Sequence, residues 1–109
     1  MIKKEVMNEA LQFFASISDR TRLGILLSLT EKDKTVNEIY NDVGKHITLS
    51  AISHQLKALN NIKIISYNKK GREKYYKLSD GFCWCILKDA FKHFDGRCKC
   101  AKMKHFGVE

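Results

Sequence analysis

The sequence predicts a mainly α-helical chain with one β-hairpin, an α+β fold, on three observations. Apolar residues recur at i, i+3, i+4 and i+7 over most of the chain, the spacing of one buried helix face. Once, at "IISYN" and "EKYYKLS", the composition turns to β-branched and aromatic residues on either side of "KKGR", as in a hairpin with a basic tip. The 109 residues contain no proline, which suits closely joined helices. A chain of this length amounts to one domain, read as residues 1–109 without repeat, linker or low-complexity tract.

Each element follows from local signals. Residues 4–17 set Val6, Ala10, Phe13, Phe14 and Ile17 on one side of a first helix, within the N-terminal segment 1–17. Ser18 or Asp19 is placed to cap a second helix, whose apolar set is Leu23, Ile25, Leu26 and Leu27. "EKDK" reads as a polar turn. In "TVNEIYNDVG", Thr35 and Glu38 form a capping box, Val36, Ile39, Tyr40 and Val43 an inner face, and Gly44 a stop. "KHIT" is a short connection, and Thr48 can cap the next helix, "LSAISHQLKAL". The helix pair thus spans 35–60, the hairpin 63–79, a last helix 80–94 and a basic, cysteine-containing tail 95–109.

The formal net charge of +8 favours a polyanionic partner, nucleic acid or an anionic membrane surface. No apolar run approaches the ~20 residues that span a bilayer, and "MIKKEVMNEA" has no apolar signal core. A cytoplasmic chain with no membrane partner is expected. Its four cysteines are then reduced by default, or serve as metal ligands or redox-active thiols. No Ser-His-Asp arrangement, P-loop or dinucleotide-binding glycine pattern is present, so no enzymatic activity is expected.

Two helices joined by a short turn and followed by a hairpin are in the order of a winged helix-turn-helix, whose second helix enters the DNA major groove. "LSAISHQLKAL" suits that place. Leu49, Ile52, Leu56 and Leu59 make an inward face, whereas Ser50, Ser53, His54 and Lys57 make an outward one of short donors and acceptors. No Glu occurs between residues 39 and 72 to repel phosphate. The bland alternative is a solvated helix face. On the groove reading Ser53, His54 and Gln55 read bases, Lys57, Lys70 and Arg72 contact phosphate, and Thr48 and Ser50 serve either role. A reading of another class is a zinc-stabilised protein-interaction module that binds an acidic protein without specific DNA affinity.

"SDRTRLGILLSL", "TLSAISHQLKAL" and "KKGREKYYKLSD" resemble, in this order, the second helix, recognition helix and wing of the ArsR/SmtB family of bacterial and archaeal repressors. The resemblance runs from about residue 10 to residue 94. It implies a homodimeric transcriptional repressor that pairs through its first and last helices and binds double-stranded operator DNA. Many such repressors release DNA on binding a metal or metalloid; others sense thiol oxidation or persulfides. There are departures. Lys63 replaces the glycine that usually ends the recognition helix, and "VGKHITLS" is slightly longer than usual. Thr35-Val36-Asn37-Glu38-Ile39 stands where one group has Cys-Val-Cys-Asp-Leu, so that metal site is absent. Of another group's last-helix zinc ligands, Asp80 and His93 match, but Phe82 and Gly96 do not.

The cysteines form two Cys-x-Cys pairs, Cys83-Trp84-Cys85 and Cys98-Lys99-Cys100. Trp84, Ile86, Leu87, Ala90, Phe91 and Phe94 make the last helix apolar on nearly every side, which calls for burial in a dimer interface, Leu87 included. On a helix, Cys83 and Cys85 would diverge by roughly 200°. If last helices pair antiparallel across a two-fold axis, Cys98 and Cys100 of one chain approach Cys83 or Cys85 of its partner. Three readings stay open: a soft-ion site for Cd, Pb, Zn, Cu(I) or As(III), a redox or persulfide sensor, and structural or idle thiols.

Overall fold

The computed structural model describes residues 1–96, the side chain of Lys45 excepted. Five α-helices and a two-stranded antiparallel sheet follow in the expected order. They are α1 (Lys4–Ile17), α2 (Arg20–Leu29), α3 (Val36–Val43), α4 (Leu49–Asn61), β1 (Ile65–Lys70), β2 (Glu73–Leu78) and α5 (Cys85–Phe94), with a 3₁₀ turn over Gly44–His46. That turn takes up the longer connection ahead of α4.

The helix starts are set by their own side chains. Asp19 accepts the Arg22 N–H at 3.0 Å ahead of α2. Thr35 and Glu38 close the capping box of α3, the hydroxyl accepting from the Glu38 N–H and the carboxylate from the Thr35 N–H. Thr48 accepts the Ala51 N–H at 3.0 Å ahead of α4. Each such cap contributes about 0.5–2 kcal/mol. Beyond α4, Lys63 has φ of 66°, the left-handed conformation that a glycine would adopt about 1 kcal/mol more cheaply. The strands pair from Ile65↔Leu78 to Lys70↔Glu73. Gly71, with φ of 65°, takes the first position of the two-residue turn, where positive φ is required of a tight hairpin.

The core lies around α2. Its Ile25, Leu26 and Leu29 meet Ile39 of α3, Ile52, Leu56 and Leu59 of α4, Ile64 and Ile65 at the start of the hairpin, and Leu87 of α5. Full burial of each contributes about 1.5–3 kcal/mol. A Cβ on Gly24 would lie 2.6 Å from Val43 Cγ1, so α2 and α3 pack as closely as a bare backbone allows.

Several expectations are corrected. On α1 only Phe13 and Ile17 pack against the core; Val6 and Phe14 are exposed. On α2 Leu27 faces outward and Leu29 takes its place inside. The "EKDK" turn buries Lys34, which is 4% exposed. Leu87 is 2% exposed within a single protomer, so it belongs to the core and not to an interface. Finally, α5 starts at Cys85 rather than residue 80, because Cys83 and Cys85 are joined in a disulfide. Two sulfurs that far apart around a helix cannot meet, so Cys83 must precede the first turn. The expectation of reduced thiols is corrected for this pair. Cys98 and Cys100, with the rest of 97–109, lie outside the described residues.

Candidate nucleic-acid interface

Helix α4 is held from behind by Ile52, Leu56 and Leu59, all fully buried. The 3.6-residue period then turns Ser50, Ser53, His54 and Lys57 outward, and all four are exposed. Thr48 is also exposed, but its hydroxyl is engaged as the helix cap. Gln55 differs from its expected role. It is half-buried, and its Oε1 accepts the Arg22 Nε–H at 2.6 Å. That contact ties α4 to the start of α2 and leaves only the Gln55 amide NH₂ to act outward. Sequence spacing gave no sign of it, since the partners stand 33 residues apart.

The hairpin projects beside α4 with an exposed tip of Lys69, Lys70, Gly71, Arg72, Glu73 and Lys74. The register sets Lys69 directly opposite Lys74 and Lys70 opposite Glu73. Like charges opposite each other on a sheet face are destabilising by roughly 0.2–1 kcal/mol; a bound phosphate removes that cost. Aromatic rings steady the amines. The Lys74 ammonium lies 4.7 Å from the centre of the Tyr67 ring, and that of Lys70 5.2 Å from Tyr75. Tyr67 and Tyr76, paired across the strands, sit with ring centres 5.5 Å apart.

Two open clefts separate α4 from the hairpin, and Ser53, Lys74 and Tyr76 border both. One, of about 240 Å³, adds Arg72 with Asn37 from the start of α3. The other, of about 350 Å³, adds Lys57, Asn60, Asn61 and Tyr67. The structure thus brings together Ser53, Lys57 and Arg72 of the expected set, and adds Lys74, Asn37 and Tyr67, which sequence reasoning missed. Lys74 was legible in principle: a cation two residues beyond the hairpin turn shares the face of Tyr67 and Tyr76. Lys70 stands on the opposite face of the hairpin, at the tip.

Behind the hairpin, Lys34 joins three elements. Its backbone N–H donates to the Tyr76 carbonyl at 3.0 Å and its carbonyl accepts the Tyr76 N–H at 2.7 Å. Its ammonium donates to Asp42 of α3 at 2.5 Å, Glu31 at 2.7 Å and Ser28 of α2 at 3.1 Å, and Ser28 donates to Asp42 at 2.6 Å. Burial opposes the charge on Lys34, but hydrogen bonds and attraction from Asp42 and Glu31 outweigh it and raise its pKa above the ordinary lysine value. The hydrogen bond from Lys34, then that from Ser28, lowers the Asp42 pKa.

At the other end, the bonded Cys83 and Cys85 are exposed, with Trp84 between them under the Lys88 ammonium at 5.4 Å. Among the described residues no three His, Cys, Asp or Glu side chains gather as a metal-binding group. Nor is any helix there long and apolar enough to cross a membrane.

The family model "Bacterial regulatory protein, arsR family" matches residues 19–67, from the α2 cap through the middle of β1. An arsenical resistance operon repressor of Bacillus subtilis is 32% identical over 82 residues, covering 72% of this chain and 73% of the relative. A transcriptional repressor SmtB homolog of Synechocystis sp. is 26% identical over 97 residues, 84% of this chain and 72% of the relative. The crystal structure of NolR from Sinorhizobium fredii superimposes with a TM-score of 0.71 at 27% identity, covering 90% of this chain and 98% of NolR. With the helix pair, the outward face of α4 and the cationic hairpin in their places, the chain belongs to the ArsR/SmtB family and is a DNA-binding transcriptional repressor on a winged helix-turn-helix fold.

Proposed function

We propose that the chain acts in the cytoplasm as a homodimeric repressor that grips its operator with α4 and the hairpin wing, and lets go when a soft metal or metalloid ion binds its cysteine thiolates. The observation that carries the DNA half is the pair of clefts in which Ser53 of α4 faces Lys74 and Arg72 of the wing. Ser53 and His54 read base edges, assisted by Ser50 and the free amide group of Gln55. Lys57, Lys70, Arg72 and Lys74 hold phosphates. Thr48, occupied as a cap, presents the helix N-terminus to the backbone.

The dimer half is supported by apolar side chains left in solvent at the opposite end. Leu11 and Phe14 of α1 are 59% and 56% exposed, and Ile86 and Phe94 of α5 are 49% and 60% exposed. Large apolar side chains exposed on both helices suit pairing with a second copy of the same chain.

The likeness to an arsenical resistance operon repressor supports release by a soft ion. The donor chemistry fits once the Cys83–Cys85 bond is reduced: paired thiolates favour Cd, Pb, Zn, Cu(I) or As(III). Cys83 and Cys85 of one protomer, with Cys98 and Cys100 of its partner, would hold the ion. Bound there, it would supply a cross-link between the two last helices. A second reading has its own observation in the disulfide: oxidation of the same pair is the signal, and the repressor senses thiol oxidants.

Operator affinity of the reduced protein, titrated with arsenite, Cd, Pb, Zn and Cu(I) and then with peroxide, tests both. Ion-dependent release that Cys98→Ser with Cys100→Ser abolishes supports the first. Release by peroxide alone transfers the function to the disulfide. No response to either removes the sensing role.

A further inference from the structure

We propose that Lys34 is the positioning residue that fixes the wing against the helix-turn-helix, and so sets the clefts in which DNA phosphates are held. This rests on the DNA-binding reading of those clefts.

The case starts from a residue in the wrong place. A lysine is almost never fully buried unless it is paired, and Lys34 lies in a short turn where sequence reasoning puts every charge in water. Its main chain adds a one-residue third strand to the wing through both hydrogen bonds to Tyr76. Its ammonium has three hydrogens and three partners: Ser28 on α2, Glu31 in the turn and Asp42 on α3. The residue therefore bonds the wing with its backbone and the two helices that flank it, α2 and α3, with its side chain. Tyr76 in turn borders both clefts, together with Lys74 and Ser53. Thr35, next in the chain, caps α3 and borders the Arg72 cleft.

Stability alone does not explain such an arrangement. The Lys34 stem and ammonium are buried while its carboxylate partners reach solvent. Replacing such a buried charge by an apolar side chain of similar volume is often neutral or stabilising, and a methionine would fill this space. What the ammonium adds is direction. Ser28 on α2 and Asp42 on α3 lie outside the turn; holding both restricts where the turn sits, and that placement fixes the strand partner of Tyr76. A two-stranded hairpin is marginal by itself; Ile65 and Leu78 anchor its base in the core, and the Lys34 bridge fixes its middle against the helices.

The test is Lys34→Met in the full chain, with Asp42→Asn as a second variant that cuts the junction from α3 without touching the strand residue. Three quantities are read: the thermal midpoint, the amide exchange rate at Tyr76, and DNA affinity against salt. We expect both variants to fold and the Tyr76 amide to exchange at least ten-fold faster. Affinity should fall similarly for operator and random DNA. The slope of log K against log salt should become shallower by about 2–3, at ~0.9 for each phosphate that the wing no longer neutralises. A residue that merely stabilises the fold would lower the midpoint and leave the slope alone. Unchanged exchange and slope in a folded variant overturn the proposal, and if Lys34→Met does not fold, Asp42→Asn decides on the same two readouts. If exchange rises but the wild-type slope carries no wing contribution (unchanged on Lys74→Ala), the cleft reading fails and Lys34 positions a wing that does not hold DNA.

Discussion

The two ends of this protomer are finished to different degrees. On α4 and the wing the supporting groups already have internal partners: Arg22 holds Gln55, Tyr67 and Tyr75 lie under lysines, and Lys34 locks the strand behind them. On α1 and α5, among the described residues, Leu11, Phe14, Ile86 and Phe94 leave about half or more of their surface in water. One chain is enough to shape a surface for a rigid, charged partner. Exposed apolar side chains of this kind call for a covering surface, and the proposed pairing of two copies would also present two recognition helices at once, as repeated half-sites on DNA require.

The contrast is broken most severely by removing what supports both ends. Leu56→Ala empties the space behind α4 and should cost about 2–5 kcal/mol of stability, read as a fall in the urea midpoint. Binding should be lost with the fold. Phe94→Glu acts on one end only. It should leave the protomer folded but weaken self-association by about 2–4 kcal/mol, roughly 30- to 1000-fold, measured by sedimentation. A folded Phe94→Glu variant that stays dimeric would move the interface elsewhere.

Changes at the DNA end sharpen the division of labour there. His54→Ala should cost on the order of 1–3 kcal/mol, mostly on the operator. Lys74→Ala should weaken operator and random DNA alike and flatten the salt slope by about 0.9. An operator-to-random ratio that His54→Ala leaves unchanged would take that imidazole out of base reading.

The helix starts and inner faces were legible because their causes are local. Thr35 and Glu38, or Ile52, Leu56 and Leu59, lie within a few turns of one another. The left-handed Lys63 was not legible: a lysine in place of the usual glycine points to an altered turn, yet the chain keeps the left-handed one. What escaped was set by distant partners. The Arg22 contact that engages the Gln55 carbonyl oxygen escaped because its partners are far apart in sequence, and Lys34 looked solvated because Tyr76 and Asp42 are not its neighbours in the chain. The start of α5 escaped because apolar spacing continues through residues 80–84 while a covalent bond at Cys83 forbids the helix. The exposed face of α1 escaped because amphipathic spacing does not say which of two apolar stripes meets the protomer's own core.

The smallest expected effect is on pH. Asp42 has a lowered pKa in the folded chain, so its contribution is full above the ordinary carboxylate value of 3.8 and is lost as pH falls through the lower folded value. Lys34, with a raised pKa, contributes fully below 10.5 and loses this as pH rises through its folded value. Between those limits stability should be flat with respect to this pair. The difference in urea midpoint between wild type and Asp42→Asn should shrink only in strong acid or strong base; a difference that changes between pH 6 and 8 would assign it to other groups.

The facing of Lys69 by Lys74 gives the wing two opposite responses to salt. In the free protein, added ions screen the repulsion between the two amines, so the unbound hairpin tightens as ionic strength rises. In the proposed complex, the same ions would compete for the phosphates that relieve that repulsion, so binding would loosen. A wing that is least settled alone is therefore most strongly held on DNA, and dilute salt widens the gap between its two states.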